Sequence, residues 1–460
     1  MTIPSYMGLQ TALSGLEAAQ AAIDTAGQNI ANASTPGYSR QTVNLTERSA
    51  LTIPALSSVT GDGAQLGTGV DITSITRIRN QFLDSQYRAQ NTTENGNSTS
   101  STILSQVQSG LNEPSADGLS GTLDQFFRDW NTLASTPGDQ GAQQAVMGDG
   151  AAAGDQLNTL SGQLSTLESQ VTSQYNTLTD PSNSAVANDA NEIAQLNGQI
   201  AQAHAAGIDA NNLEDQRDNV IDDLSQYSNV YVNTQSNGMV NVSFGNAALA
   251  AQNGTADATP LVSGTSVDLT DNVTDSNLSG AGGTLGSLLG LYDSTSGTGK
   301  LADYMTTLNG VASQLVTTVN NAISGADASG PSATPFFDPT GTTAATIAVN
   351  PSLSSNGTTP PYTAAEASAA AGLSGGAADQ AYKAFVTQVG SDVQSAQNAQ
   401  QTSQSLLTAI SNQRQSISGV SLDEEMTNLI QFQQAYQASA RVMSTIDTTI
   451  GSLLSMVAAG

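Results

Sequence analysis

Apolar residues recur at every seventh position near both ends of the chain. The N-terminal row is Leu9, Leu16, Ile23 and Ile30, with Ala12, Ala19 and Ala26 between its members. Near the C-terminus one row is Leu422, Leu429, Tyr436, Met443, Ile450 and Val457, and a second holds Phe432, Ile446 and Leu453. A seven-residue apolar period belongs to helices that supercoil on a partner. The small alanines predict close approach by that partner. Two such stripes at opposite ends imply termini that meet around an inserted middle.

The first helix is predicted from about Tyr6 to Ala33, ended by Pro36-Gly37. Alternation over Tyr38–Thr46 predicts extended chain, and 47–72 reads as an irregular or β excursion. Helical spacing returns at Ile75, Ile78 and Phe82 and continues through Ile103, Val107 and Leu111. Leu157, Leu160, Leu164, Leu167, Val171 and Leu178 predict another long helix, interrupted at Pro181. Val186, Ile193, Leu196 and Ile200 resume the pattern, and a further helix is expected over Asn212–Tyr227. Val230–Val232 and Met239–Phe244 read as a hairpin turning at Asn237-Gly238, with a further short β run at Val267–Leu269. Helix is predicted over Leu285–Ile323 and again from Val386 to Ile417, with mostly loop and a short strand at Thr346–Val349 between. The last helix is predicted to open on a Ser421/Glu424 capping box.

The pattern thus predicts a mainly α chain with a β insertion. Terminal helices (1–46 with 417–460) form a coiled coil. A long helical bundle takes 47–228, 284–323 and 377–416. Residues 229–283 form a small β-rich outer domain, and 324–376 a loop-rich outer segment. The assembly contacts expected from the heptads are Leu9, Leu16, Ile23 and Ile30 against Leu422, Leu429, Phe432, Tyr436, Met443, Ile446, Ile450 and Leu453.

Charge sharpens this division. The 460 residues carry a formal charge of -28 from 39 acids and 11 bases. Residues 1–46 hold only Glu17, Asp24 and Arg40, and 417–460 only Asp423, Glu424, Glu425, Asp447 and Arg441. Nearly all the acid therefore lies in the middle, as expected for ends that are buried in contacts and a middle that faces water. Such acidity argues against nucleic acid or an anionic membrane as partner. No apolar run reaches the ~18–20 residues of a membrane span. Met1–Gln10 lacks a basic region and an apolar core, so no cleavable signal peptide is expected.

Candidate chemistry is sparse. Without cysteine there are no disulfides, thiolate metal sites or thiol nucleophiles. His204 is the only histidine and reads as a surface or packing residue. Gly297-Thr298-Gly299-Lys300 faintly resembles a phosphate loop, but Leu301 stands where Ser or Thr is needed. Asp268, Asp271 and Asp275 lack calcium-loop spacing. Adjacent acids in a helix, such as Asp222-Asp223 and Glu424-Glu425, point apart and suit no general acid/base pair. Trp130 beside Phe126 and Phe127 reads as a small apolar anchor. No cofactor, metal site or catalytic residue is expected.

The run Asn29-Ile30-Ala31-Asn32-Ala33-Ser34-Thr35-Pro36-Gly37-Tyr38-Ser39-Arg40 resembles the N-terminal signature of flagellar rod, hook and hook-associated proteins. Its motif residues here are Asn32, Thr35, Pro36, Gly37, Tyr38 and Arg40. Gly419–Glu425, Asn428-Leu429 and Gln433–Ala440 are similar to the hook–filament junction members of that family, as are Leu213–Asp218, Gly282–Gly286, Phe336-Phe337 and Val349–Pro351. The resemblance implies an exported structural adaptor at the distal end of the hook. Its implied partners are further copies of itself, the hook protein, the second junction protein (hook-associated protein 3) and an export chaperone. The chaperone would dock on the last helix, where Leu429, Phe432, Tyr436 and Met443 have groove-anchor spacing. A hook or distal rod protein is the alternative, and a secreted enzyme or adhesin on a flagellar scaffold a more distant one.

Overall fold

The computed structural model describes residues 5–53, 64–252, 259–292, 299–326, 334–353 and 362–458. The chain opens with α1 (Ser5–Ala31), followed by strands β1 (Gln41–Glu47), β2 (Leu51–Ile53), β3 (Ala64–Leu66) and β4 (Val70–Arg77). Five helices come next: α2 (Gln81–Leu111), α3 (Leu119–Ser135), α4 (Gln140–Thr179), α5 (Ala185–Ala205) and α6 (Asn211–Leu224). A β-rich stretch holds β5 (Val230–Thr234), β6 (Val240–Phe244), α7 (Asn246–Gln252), β7 (Val262–Ser263), β8 (Ser266–Val267) and α8 (Asp275–Leu278). The chain returns to helix with α9 (Gly283–Tyr292), α10 (Lys300–Ala326), α11 (Ala364–Ala371), α12 (Ala377–Ser418) and α13 (Leu422–Ala458). The fold is mainly α with small sheets, as the periodicity predicts.

Local signals explain most boundaries. Asn80 caps α2 by accepting from the Phe82 and Leu83 amides, and Asn112 ends it in the left-handed region at φ 51°. Ser184 caps α5 on the Ala187 amide. The hairpin expected at Asn237-Gly238 forms, with Gly238 at φ +82°. Its strands extend into a four-stranded antiparallel sheet ordered β5-β6-β7-β8. Asn197 of α5, fully buried, ties helices to sheet by donating to the Val240 and Gly264 carbonyls and accepting from the Val240 amide.

Several expectations need correction. Ile75 lies in β4 and Ile78 in the connector after it, so α2 begins only at Gln81, and Phe82 faces solvent. The cause is strand pairing: β4 matches β1 residue by residue from Gln41↔Arg77, with a bulge at Asn44/Leu45. Part of 47–72 is thus a paired hairpin arm, and residues 54–63 lie outside the described residues. Helix α3, for which the sequence reading drew no helix, buries Leu119, Leu123, Phe126, Phe127, Trp130 and Leu133 along one face. Glu424 does not serve the expected capping box, because Arg40 takes its carboxylate.

One continuous core runs from Ile103 to Val393 through the helices and the β-rich stretch. At its centre Trp130, fully buried, packs edge-on against Phe336 at 5.3 Å and Tyr362 at 5.2 Å, with Phe126 at 6.1 Å. The described part of 324–376 therefore closes over α3 with Phe336 and Phe337 inside the core. The Trp130 indole N–H has no hydrogen-bond partner, so packing alone holds it. Trp130→Ala should cost about 3–5 kcal/mol in urea unfolding followed by circular dichroism. Trp130→Phe, which removes the orphaned donor, should cost under about 2 kcal/mol.

Candidate assembly seam and the arginine node

Helix α1 lies antiparallel along α13, so the termini meet as the heptads imply. Three pairs fix the register. A Cβ on Gly8 would lie 3.2 Å from the Ile446 Cδ1, one on Gly15 would lie 3.1 Å from the Ser439 Oγ, and Asn29 donates to Glu425 at 3.0 Å. Each step of seven down α1 meets a step of seven back along α13. The same register sets Ala22 opposite Phe432, Thr25 opposite Leu429, Ala18 opposite Tyr436 and Thr11 opposite Met443. The seam is asymmetric: large side chains of α13 lie in holes made by small residues of α1. Ala12, Ala18, Ala19, Ala22 and Ala26 are buried there.

This corrects the sequence reading of α1. Leu9, Leu16, Ile23 and Ile30 sit one position past the seam row and are only half-buried. Close approach selects the small residues for the seam and displaces the larger row to its flank. On α13, Leu429, Phe432, Tyr436, Met443, Ile446 and Ile450 follow the seam but remain half-exposed. Leu422 is 51% exposed at the first turn and off the seam. The Leu453 side chain lies outside the described residues.

Below the seam, the signature run turns the chain back on itself. The Thr35 amide donates to the Asn32 carbonyl at 2.9 Å and the Thr35 hydroxyl to the Asn32 side chain at 3.2 Å. Pro36 and Gly37 follow, with Gly37 at φ +76° against the Asn219 side chain, where a Cβ would collide. Asn29, 1% exposed, is the hub. It accepts from the Tyr38 hydroxyl at 2.8 Å and the Gln41 amide at 3.0 Å, and donates to the Gln41 carbonyl at 2.9 Å. Burial, with help from Asp215 and Glu425, pushes the Tyr38 hydroxyl up to about 12, so it stays a donor.

Around this hub the bases gather. Arg40 donates to Glu425 at 2.7 Å and to Glu424 at 3.0 Å, and its amide bonds the Ser418 carbonyl. Ser39 bonds Asp215 through both amide and hydroxyl. Arg77 reaches Glu214, Asp215 and Asp218 at 2.7, 2.7 and 2.9 Å. Arg79 pairs with Asp84 at 2.9 Å and Asp218 at 3.2 Å. Arg88 pairs with Asp222 at 2.6 Å, and Arg414 joins Asp222 and Asp84 at 2.6 and 3.0 Å while stacking on Tyr87. Burial would raise the Asp218 carboxyl, but Arg79, Arg88 and Arg77 outweigh it and hold it down at about 2.

The node is electrostatic cement between α1, β4, α2, α6, α12 and α13. Its carboxylates are saturated by guanidinium groups, which suits structure and leaves none poised as a base. Leu213–Asp218 and Glu424-Glu425 were visible as motif segments, but their convergence was not. The available signal was Arg77, Arg79 and Arg88 falling close together in a chain so poor in bases.

The other candidates stay apart. His204 stands exposed at the end of α5. Asp268 makes a local turn with Thr270 and Asp271, while Asp275 accepts from Tyr175. Residues 297–298 lie outside the described residues, and Lys300 pairs with Asp392 at 2.8 Å. Among the described residues no group of three or more His, Asp or Glu could hold a metal, and no helix is long and apolar enough to cross a membrane.

Comparison with known proteins falls on the same architecture. The family described as flagella basal body rod protein matches 9–38, and that described as flagellar basal body rod FlgEFG protein C-terminal matches 411–456. These cover the helices of the seam. The middle, 104–337, matches the family described as flagellar hook-associated protein FlgK helical domain. Flagellar hook-associated protein 1 of Bacillus subtilis (strain 168) is 30% identical over 99% of both chains. This chain belongs to the flagellar hook-associated protein 1 family. The member from Escherichia coli (strain K12) is 30% identical over 54% of this chain and 43% of its own. A solved structure, the flagellar hook junction protein FlgK from Burkholderia pseudomallei, aligns at TM-score 0.42 and 25% identity over 52% of this chain and 44% of that one. The helical-domain match sets the hook-associated protein 1 family apart from the hook and rod alternative. The chain is a component of the bacterial flagellum.

The node makes stability depend on acid. Asp218 is held below its ordinary value, so its contribution is complete above about pH 4 and is lost as pH falls through about 2. In thermal unfolding the parent should lose roughly 2 kcal/mol across that window from this group. Asp218→Asn should be about 3 kcal/mol less stable at pH 7 and show a shallower slope between pH 4 and pH 2.

Proposed function

We propose that this chain is a structural, non-enzymatic subunit that assembles at the distal end of the hook and joins it to the filament through the next junction protein. The carrying observation is the unfinished surface of the terminal helix pair. Leu422, Met426, Ile430, Val442, Leu454 and Met456 of α13 are 51–66% exposed, and the whole seam row beside them is half-exposed. A two-helix pair cannot cover its own flanks. So many large apolar side chains exposed along one helix mark a protein interface. Heterologous, head-to-tail contacts between copies would cover it and build a ring or short helix.

The proposed partners are other copies of the chain, the hook protein and hook-associated protein 3. The functional residues proposed are those of the α1–α13 pair, including Leu9, Leu16, Ile23 and Ile30 as flank contacts. The division into a terminal pair (1–46 with 417–460), a bundle, a β-rich part (229–283) and an outer segment (324–376) is proposed as the inner-to-outer order in the assembly. The proposed site of action is outside the cell.

An export chaperone on Leu429, Phe432, Tyr436 and Met443 would take the row that faces α1. Chaperone and α1 would then compete for one stripe, and assembly would exchange one cover for the other.

Two experiments test this reading. Ile446→Asp places a carboxylate in the seam, at a cost of several kcal/mol unless it finds a partner. Cells carrying it should shed filaments while the purified chain keeps its helical content. Normal filament attachment would remove the seam from the assembly. In pull-downs, deletion of 421–460 should abolish chaperone capture and deletion of 1–40 should preserve or strengthen it. Loss with the N-terminal deletion alone would sink the chaperone site.

A further inference from the structure

Basic side chains are so scarce here that, among the described residues, all but one can be traced to a partner. Among the described residues, the node holds Arg40, Arg77, Arg79, Arg88 and Arg414. Arg48 pairs with Asp71, Lys300 with Asp392 and Lys383 with Asp379. Arg128 bonds Gln125, and Arg217 bonds Asn197 and the Gly238 carbonyl. Arg441 has no partner. It is exposed near the middle of α13, a helix whose other charges beyond the first turn reduce to Asp447. Its heptad position is the outermost, facing directly away from α1.

The outer face of α1 carries the complement. Glu17 and Asp24, its only charges, are exposed and unpaired. The seam register puts Arg441 at the level of Leu13, which is 43% exposed on the same outer face as Glu17. Glu17 lies one turn further along, ~6 Å in axial height. The cation and anion thus sit at nearly one level but on opposite outer faces of the helix pair. Within one chain they cannot meet. Between two copies set side by side, α13 of one against α1 of the next, they face each other. Val442, 51% exposed beside Arg441, meets Leu13 in the same arrangement.

We propose that Arg441 of one copy pairs with Glu17 of the neighbouring copy and sets the lateral register of the assembly. The proposal rests on the assembly role inferred above. It adds the partner, a second copy of this chain, and the contact. The fit is heterologous, because it pairs a residue of α13 on one copy with a residue of α1 on the next, so it propagates around a ring or helix and does not close as a two-fold dimer. A single charge pair on an apolar flank supplies specificity and register more than affinity.

The absence of cysteine makes the test clean. Glu17→Cys and Arg441→Cys are introduced on separate copies expressed together, and isolated flagella are mildly oxidised. A disulfide-linked dimer that needs both variants is the expected product, and single variants should give none. In parallel, Arg441→Glu and Glu17→Arg should each lower the fraction of filamented cells at least tenfold, and the double reversal should restore most of it. Both side chains are exposed, so secretion and helical content should match the parent in every variant. Filamented flagella that give no cross-link, or an Arg441→Glu variant filamented like the parent, would overturn the pair. In that outcome, filament loss with Ile446→Asp would leave the assembly reading standing. Normal filaments with Ile446→Asp as well would bring down both.

Discussion

The structure depends on one interaction, the meeting of five arginines with the carboxylates of α2, α6 and α13. There the N-terminal arm, the C-terminal arm and the bundle touch together. Removing so many charges from water is costly, and each guanidinium here is compensated by two or more oxygens or by an aromatic face. Apolar packing could join the same elements, but it would tolerate sliding. Forked, bidentate pairs do not, because each fixes direction as well as distance. The node therefore sets the angle at which the terminal pair leaves the bundle, and Asn29 passes that constraint directly into the seam.

The seam itself shows why size order matters in a heptad. Helix α1 offers glycine, alanine and threonine, and α13 offers leucine, phenylalanine, tyrosine, methionine and isoleucine. Such a pair brings its axes close and leaves the outer face of α13 uncovered, while β1 and β4 lie along part of α1. A pair of that kind suits a densely packed inner layer, where neighbours supply the missing cover. The near absence of charge along it suits the same end, since each unpaired charge inside such a layer would be expensive. The acid is placed instead on the middle of the chain.

The middle region answers a different demand. Its core is continuous from the helices through the β-rich stretch to the aromatic group around Trp130. Asn197 and the Phe336-Phe337 pair stitch segments distant in sequence into that core.

The sequence by itself determined the helical periodicity, the meeting of the termini and the Asn237-Gly238 hairpin. Each follows from local spacing or from composition, and neither needs a partner to be read. It also carried the signature run, although only as a pattern. Tertiary structure alone decided which row of α1 faces α13. Period seven identifies a stripe, but a glycine row and a leucine row one position apart share that period, and only close helix approach selects between them. Tertiary structure also decided that Ile75 belongs to a strand, because β1 was there to pair with β4, and that Glu424 serves Arg40 in place of a helix cap. The node was hidden for the same reason. Its members lie as far apart as Arg40 and Glu425, and a charge does not reveal its partner until the fold has removed the water between them.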